Sequence, residues 1–379
     1  METNVASLGQ GPGLAWKRNT SSFPQGSLAE LQEWMGGNTE PPWHGEVDFK
    51  QWNTIGWGIN DDGILCIKPW NGDTGETGAA ITSDDVPWND QASKIRKVES
   101  IGTIVLNANS VGLFSYCSSL TDLTALENWN VSKVTNMKSM FSRCASLTDL
   151  TALERWDVSN VTTMGYMFFE CSNLTNLTGL EDWRVYNVKD MSSMFYDCSG
   201  LTDLTALANW DVSNVTSMSF MFQSCYNLTD LTALANWNVS HVTDMDSMFS
   251  DCSSLTDLTA LANWNVSNVT YMSGMFDGCS NLTDLTALAS WDVSNVEIMD
   301  FMFQGCSSLQ RIGIPSISNG GQKLVENAEG AALTTVLPSI VSEDGSMGPY
   351  TWDELFNEMT PNPDAFQDGT VWVKAEEAE

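Results

Sequence analysis

Apolar residues in the middle of this chain return every 27 positions. Residues 252–279 show the unit: CSSLTDLTALANWNVSNVTYMSGMFDGC. Leu255, Leu258 and Leu261 stand at i, i+3 and i+6, the spacing of a leucine-rich-repeat turn that contains a short parallel strand. Met272, Met275, Phe276 and Cys279 stand at i, i+3, i+4 and i+7, which predicts one buried face of a short helix. Between them Val266 and Val269 are expected to point inward, with Ser267 and Asn268 turning the chain. Tryptophan keeps the step at Trp129, Trp156, Trp183, Trp210, Trp237, Trp264 and Trp291. Cysteine keeps it at Cys117, Cys144, Cys171, Cys198, Cys225, Cys252, Cys279 and Cys306. A strict period of this length marks a stacked array whose units have no core of their own. The fold class expected is an α/β solenoid, a leucine-rich-repeat-like stack with a short parallel strand and a short helix per turn. Capping modules are expected at both ends, because an open solenoid end exposes backbone and apolar side chains.

The flanking sequence divides accordingly. Residues 1–46 are rich in Gly, Asn and Pro and read as an arm or attachment segment, with a helix over 27–35 opened by Ser27 and Glu30 in capping-box spacing. Residues 47–111 read as a Trp-rich β cap, with alternating runs at 63–67 and 101–106. The solenoid is assigned to 112–317, and 309–317 is its last partial turn. Residues 318–379 form a C-terminal module. In it, Thr351 and Glu354 open a helix through Met359, prolines at 361 and 363 end it, 369–374 reads as a strand and 376–379 as a frayed acidic tail.

Charge narrows the partners. The 379 residues carry 16 Lys and Arg against 48 Asp and Glu, a net charge of −32. Such a surface repels nucleic-acid backbones and anionic membranes. No stretch is long and apolar enough to span a bilayer. The first 34 residues show no basic segment followed by an apolar run, and no lipid-anchor cysteine or hydrophobic tail is visible. Those absences raise the expectation of a virion protein, released without a secretion signal. The cysteine ladder predicts free, buried thiols: stacked Cβ vectors run parallel, and a linear row does not converge on zinc. No cofactor is expected.

The repeat pattern L-T-x-L…W-[ND]-V-S-N-V-T-x-M-x-x-M-F-x-x-C over residues 120–309 resembles the BspA-like leucine-rich surface-protein repeat. Trp57 to Ile67, Val86 to Asp90, and Leu113 with Phe114 resemble the segment that precedes such repeats. The resemblance implies adhesion or recognition at a bacterial surface; related repeats also occur in phage-encoded proteins. The third full repeat departs from the pattern at Asn176, Gly179, Arg184 and Tyr186.

Catalytic signatures are missing: there is no nucleophile elbow, P-loop, HExxH or dinucleotide fingerprint. The two histidines, His44 and His241, lie far apart, and His241 holds a repeat position otherwise filled by Asn. The chain is therefore read as no enzyme. Asp122, Asp149, Asp203, Asp230, Asp257 and Asp284 form a carboxylate ladder broken by Asn176. Hydrogen bonding explains it better than a row of calcium sites, which need clustered oxygen ligands. Opposite the Met/Phe face, Tyr166, Phe169, Tyr196, Phe220 and Phe301 are expected to point outward, with Tyr226 and Tyr271 nearby. Together with Arg184 and Tyr186 they form the candidate ligand-binding face. The expected function is non-enzymatic adhesion to a protein or glycan on a cell surface. The alternative is a phage tail fibre or decoration protein that uses the solenoid for host binding or as a spacer. Solenoid ends and the aromatic face both invite self-association.

Overall fold

A computed structural model describes residues 47–70, 73–80, 82–316, 319–343, 346–359 and 371–375. The expected helix at 27–35, the stop at 361–363 and the tail at 376–379 lie outside the described residues.

The stack is present, but its turns are built differently from the expected strand and helix. From Met245 to Cys252 the chain makes three overlapping four-residue turns. Met248 N–H donates to Met245 at 3.2 Å, Ser250 to Ser247 at 3.1 Å and Cys252 to Phe249 at 3.1 Å. The alternate N–H groups leave the turn. Met245, Ser247, Phe249 and Asp251 donate to the carbonyls of Tyr271, Ser273, Met275 and Asp277 at 2.6–2.9 Å. Ser247 and Asp251 take φ of 52° and 60°, which no helix tolerates. The physical reason is hydrogen-bond supply. A helix consumes its own N–H groups, whereas a solenoid turn must give half of them to its neighbour.

The leucine segment differs in the same way. Where a strand was expected, Thr259–Leu261 forms a 3-10 turn. Just before the methionine turns, parallel pairing is one residue wide and links Asn136, Thr163, Asp190, Ser217, Asp244, Tyr271 and Ile298 in succession.

Recurring side chains close the stack. Phe rings lie nearly parallel from Phe114–Phe141 at 5.4 Å to Phe276–Phe303 at 6.1 Å. Each indole N–H reaches back one turn, as Trp210 does to the Leu180 carbonyl at 2.9 Å. The thiols from Cys144 to Cys306 do likewise, as Cys225 does to the Phe195 carbonyl at 3.3 Å. Thr243 Oγ1 donates to the Thr216 carbonyl at 3.2 Å, and Asn268 Nδ2 to Ser240 at 2.7 Å. The buried indole and thiol donors are thus bonded to the adjacent turn, which a lone repeat could not supply.

Both ends continue the ladder. The N-terminal sheet runs β1 (Lys50–Trp52), β2 (Ile55–Ile59), β3 (Ile64–Pro69) and β4 (Lys97–Ser100), the first two pairings antiparallel and the last parallel. The strand expected at 101–106 does not form. Gly102 turns there with φ 72°, and Val105 makes only single bridges to Glu76 and Asn130. Trp88 lies over Phe114 and extends the ring stack. At the far end, β5 (Asp284–Leu285) pairs in parallel with β6 (Arg311–Gly313). Beyond it come α1 (Gly321–Glu326), α2 (Leu333–Val336), β7 (Ile340–Ser342), α3 (Trp352–Met359) and β8 (Val371–Lys374). The chain between α1 and α2 accepts what the next turn would have taken: Phe301 and Phe303 donate to Gly330 and Ala331. The expected capping box is present, with Thr351 N–H donating to Glu354 at 2.8 Å and Glu354 N–H to Thr351 at 3.3 Å. One apolar cluster runs from Ile55 to Trp372.

Candidate binding face

The overlapping turns create two left-handed positions per repeat, and these organise the outer face. The first is filled by Gly112, Ser139, Tyr166, Ser193, Phe220, Ser247, Gly274 and Phe301, all with φ between 52° and 63°. The second is filled by Tyr116, Arg143, Glu170, Asp197, Ser224, Asp251, Gly278 and Gly305. Positive φ costs little for Gly but strains a bulky side chain. Tyr166, Phe220 and Phe301 nonetheless hold φ of 61°, 60° and 59°. Their outward orientation is as expected, although a left-handed turn rather than a helix face produces it.

Three of the expected residues come together. Tyr166 and Phe169 are 5.5 Å apart, and Phe169 stacks on Tyr196 at 4.6 Å and 12°. The sequence reading missed what completes them. The Arg143 guanidinium lies between the rings of Tyr116 and Phe169, at 5.0 and 5.8 Å, and pairs with Glu170 at 3.2 Å. Lys138 lies over Tyr166 at 5.2 Å. Tyr116, Arg143, Phe169 and Tyr196 therefore make a four-layer stack with one layer from each of four successive turns. Burial, with Asp197 and Glu170 nearby, pushes the Tyr196 phenol above its ordinary range.

The other expected residues lie apart from this stack. Phe220 and Phe301 share the column of Tyr166 but stand two and five turns beyond it, 38% and 59% exposed. Arg184 and Tyr186 are exposed in the turn after Trp183, where the Tyr186 carbonyl accepts Asn214 Nδ2 at 2.8 Å. Asp157 is held below its ordinary range chiefly by Ser159, with Arg184 contributing. Exposed Tyr226, Tyr271 and Ile298 extend the outer apolar surface.

The aspartate ladder has a local job. Asp203, Asp230 and Asp257 each accept the N–H two residues on, at 2.8, 2.8 and 2.9 Å. Asp122, Asp149 and Asp284 do the same. Asn176 does so too, at 3.1 Å. Each side chain thus opens a 3-10 or equivalent turn, and an amide serves as well as a carboxylate. Among the described residues, no group of three or more His, Cys, Asp or Glu is placed to hold a metal. The nine cysteines are free and buried, and burial pushes the Cys171 and Cys306 thiols up to about 12. His241 is exposed. Among the described residues, no helix is long and apolar enough to cross a membrane.

Comparison with known proteins gives a family and distant structural likenesses. No curated protein matches the chain. A leucine-rich cell surface protein from Faecalibacterium prausnitzii is 14% identical, with 72% of this chain and 94% of that one covered at a TM-score of 0.20. A leucine-rich-repeat protein from Eubacterium ventriosum is 16% identical over 67% and 93%, with a TM-score of 0.21. One from Bacteroides ovatus is 13% identical over 68% and 92%, with a TM-score of 0.20. With TM-scores this low the architecture rests on the chain's own geometry. The model of a family described as "Mycoplasma protein of unknown function, DUF285" matches residues 109–230 and 201–316. These matches span more than half of the 379 residues, and the chain belongs to the DUF285 family.

Proposed function

We propose that this protein is a non-enzymatic recognition scaffold at an exterior bacterial surface, and that its outer aromatic face grips a protein partner. One observation carries the reading. Tyr166, Phe220 and Phe301 occupy a left-handed position that Gly or Ser fills in the other turns. Nothing in the stacking of the solenoid requires a ring there, and the backbone is less strained without one. Strain of this kind persists where a side chain is needed for something other than folding. The BspA-like repeat pattern supports the surface setting.

The stack at Tyr116 to Tyr196 favours a protein over a sugar ring. Sugars stack on open aromatic faces, whereas the faces of Phe169 are covered by Arg143 and Tyr196. Tyrosine and arginine presented at the edge are the residues enriched in protein hot spots.

The test is attachment of the fluorescently labelled protein to a panel of bacterial and animal cells. A variant carrying Tyr166→Ser, Phe220→Ser and Phe301→Ser runs beside it. Serine already stands at this position in Ser139, Ser193 and Ser247. Attachment to a defined group of cells, lost in the variant, is the expected outcome. Equal attachment by both proteins, or by neither, refutes the reading.

A further inference from the structure

The charges of the outer face are divided along the array. Residues 109–189 carry six Lys and Arg against eight acids. Residues 190–310 carry fourteen Asp and Glu and not one Lys or Arg. Lys133, Arg143 and Arg155 pair with Glu76, Glu170 and Glu127 at 3.2–3.6 Å. Lys138 is exposed and lies over the Tyr166 ring. Among the described residues it has no carboxylate within 4.0 Å. At the far end Asp300 is exposed, and among the described residues it has no cation within that distance.

These two unpaired charges stand in one column. The carbonyls of Lys138, Ser219 and Asp300 each accept the N–H of the left-handed residue one turn back. Lys138 lies three turns before Ser219 and Asp300 three turns after it. In the left-handed column, Ser139 and Phe301 are placed likewise about Phe220. In the bridge row, Asn136 and Ile298 lie three turns either side of Ser217, and Thr163 and Tyr271 two turns. Ser217, Ser219 and Phe220 belong to a single turn. About that turn, Tyr271, Ile298 and Phe301, 41–59% exposed, have Thr163, Asn136 and Ser139 as counterparts. Large apolar side chains at one end thus answer to small or polar ones at the other, and the unpaired carboxylate answers to the unpaired lysine.

We propose that the protein partner of the outer face is a second copy of this chain, docked antiparallel about the Phe220 turn. This rests on the reading of the outer face as a binding surface and adds the identity of its partner. A two-fold axis lying in the interface and crossing that turn returns each column to itself with the order of turns reversed. Asp300 of one copy then meets Lys138 of the other, and Phe301 meets Ser139. Phe220, 38% exposed, meets its own copy on the axis. The net charge of −32 on each copy opposes association at long range. At physiological salt charges act over only about 8 Å, so those at the contact decide. Asp190 and Asp244, one turn either side of Ser217, face each other across the interface and keep the dimer in the weak, transient class. Salt therefore strengthens the association, whereas it would weaken the grip on a cationic partner.

The experiment is sedimentation velocity of the full chain at about 10–200 μM, in about 0.01 M and about 0.15 M salt. A dimer that tightens with salt is expected. Lys138→Glu should weaken it about tenfold, and Lys138→Glu with Asp300→Lys should restore it to within about threefold of the wild type. Geometry is read by cross-linking with a short bis-maleimide. Ser139→Cys mixed with Phe301→Cys should give a cross-linked pair, and neither variant should link to itself; the nine native thiols are buried. The inference is overturned if the chain is monomeric throughout at both salts, or if its dimer weakens as salt rises. It is also overturned if the double charge variant is as weak as Lys138→Glu, or if Phe301→Cys links to itself as readily as to Ser139→Cys. A monomer whose cell attachment is still lost in the Tyr166→Ser, Phe220→Ser, Phe301→Ser variant would defeat this inference alone. A dimer with the expected cross-link that attaches to no cell would defeat the recognition reading instead.

Discussion

Phe301 and Phe303 stand two residues apart in one turn and answer to different physics. Phe303 is fully buried and stacks on Phe276 at 6.1 Å. Truncating it to Ala forfeits burial and leaves a gap in the ring ladder, which costs about 3–5 kcal/mol. Phe301 is 59% exposed at φ 59°. Its ring buries less than half of its surface, a contribution of about 1 kcal/mol. Left-handed backbone costs a non-glycine residue about 1–2 kcal/mol. Glycine removes that cost and adds about 0.5–1 kcal/mol of lost chain entropy. Phe301→Gly is therefore expected to stay within about 1 kcal/mol of the wild type. Urea unfolding followed by tryptophan fluorescence measures both variants. A Phe301→Gly loss above about 2 kcal/mol, or a Phe303→Ala loss below about 1 kcal/mol, would refute the assignment of one ring to strain and the other to packing.

Three further outcomes follow from the same geometry. The cysteine ladder is buried and each thiol is pushed up by that burial, so a thiol reagent at pH 8 should label no cysteine in the folded protein and all nine after unfolding. Asp277 is held above its ordinary range by burial and by Asp251. The stability linked to it is complete below the unfolded value of about 3.9 and is lost as pH rises through the folded value. Asp277→Asn should therefore raise the melting temperature at pH 7 and change it little near pH 3. Asp230→Asn should unfold within about 0.5 kcal/mol of the wild type because the amide can still accept the Thr232 N–H, whereas Asp230→Ala should lose about 1 kcal/mol.

The stack itself was legible from periodicity, because a residue that returns at one step must meet its own copy. Trp210 above Trp183, and Phe222 above Phe195, are consequences of the step alone. The local conformation was not legible. Apolar spacing of i, i+3, i+4 and i+7 fits a helix, but it also fits consecutive four-residue turns that reverse the chain as often. The available hint was glycine at 112, 274, 278 and 305; Arg143, Glu170 and Phe220 at the matching positions concealed it. Asn176 in the aspartate row was a further signal, since a turn needs only an oxygen acceptor there and an amide supplies one. The candidate face was half legible. The outward aromatics were visible, yet the stack draws Tyr116 and Arg143 from one column and Phe169 and Tyr196 from its neighbour. No single repeat position therefore displays it.

The central claim is that the outer rings serve recognition and not the fold. Cell attachment and thermal melting, measured on the same preparation of the Tyr166→Ser, Phe220→Ser, Phe301→Ser variant, test it directly. The account predicts that attachment is lost while the melting temperature falls by less than about 10 °C, since serine keeps the left-handed cost and forfeits only about 1 kcal/mol of ring burial at each site. Retained attachment, or a larger fall in melting temperature, would contradict it.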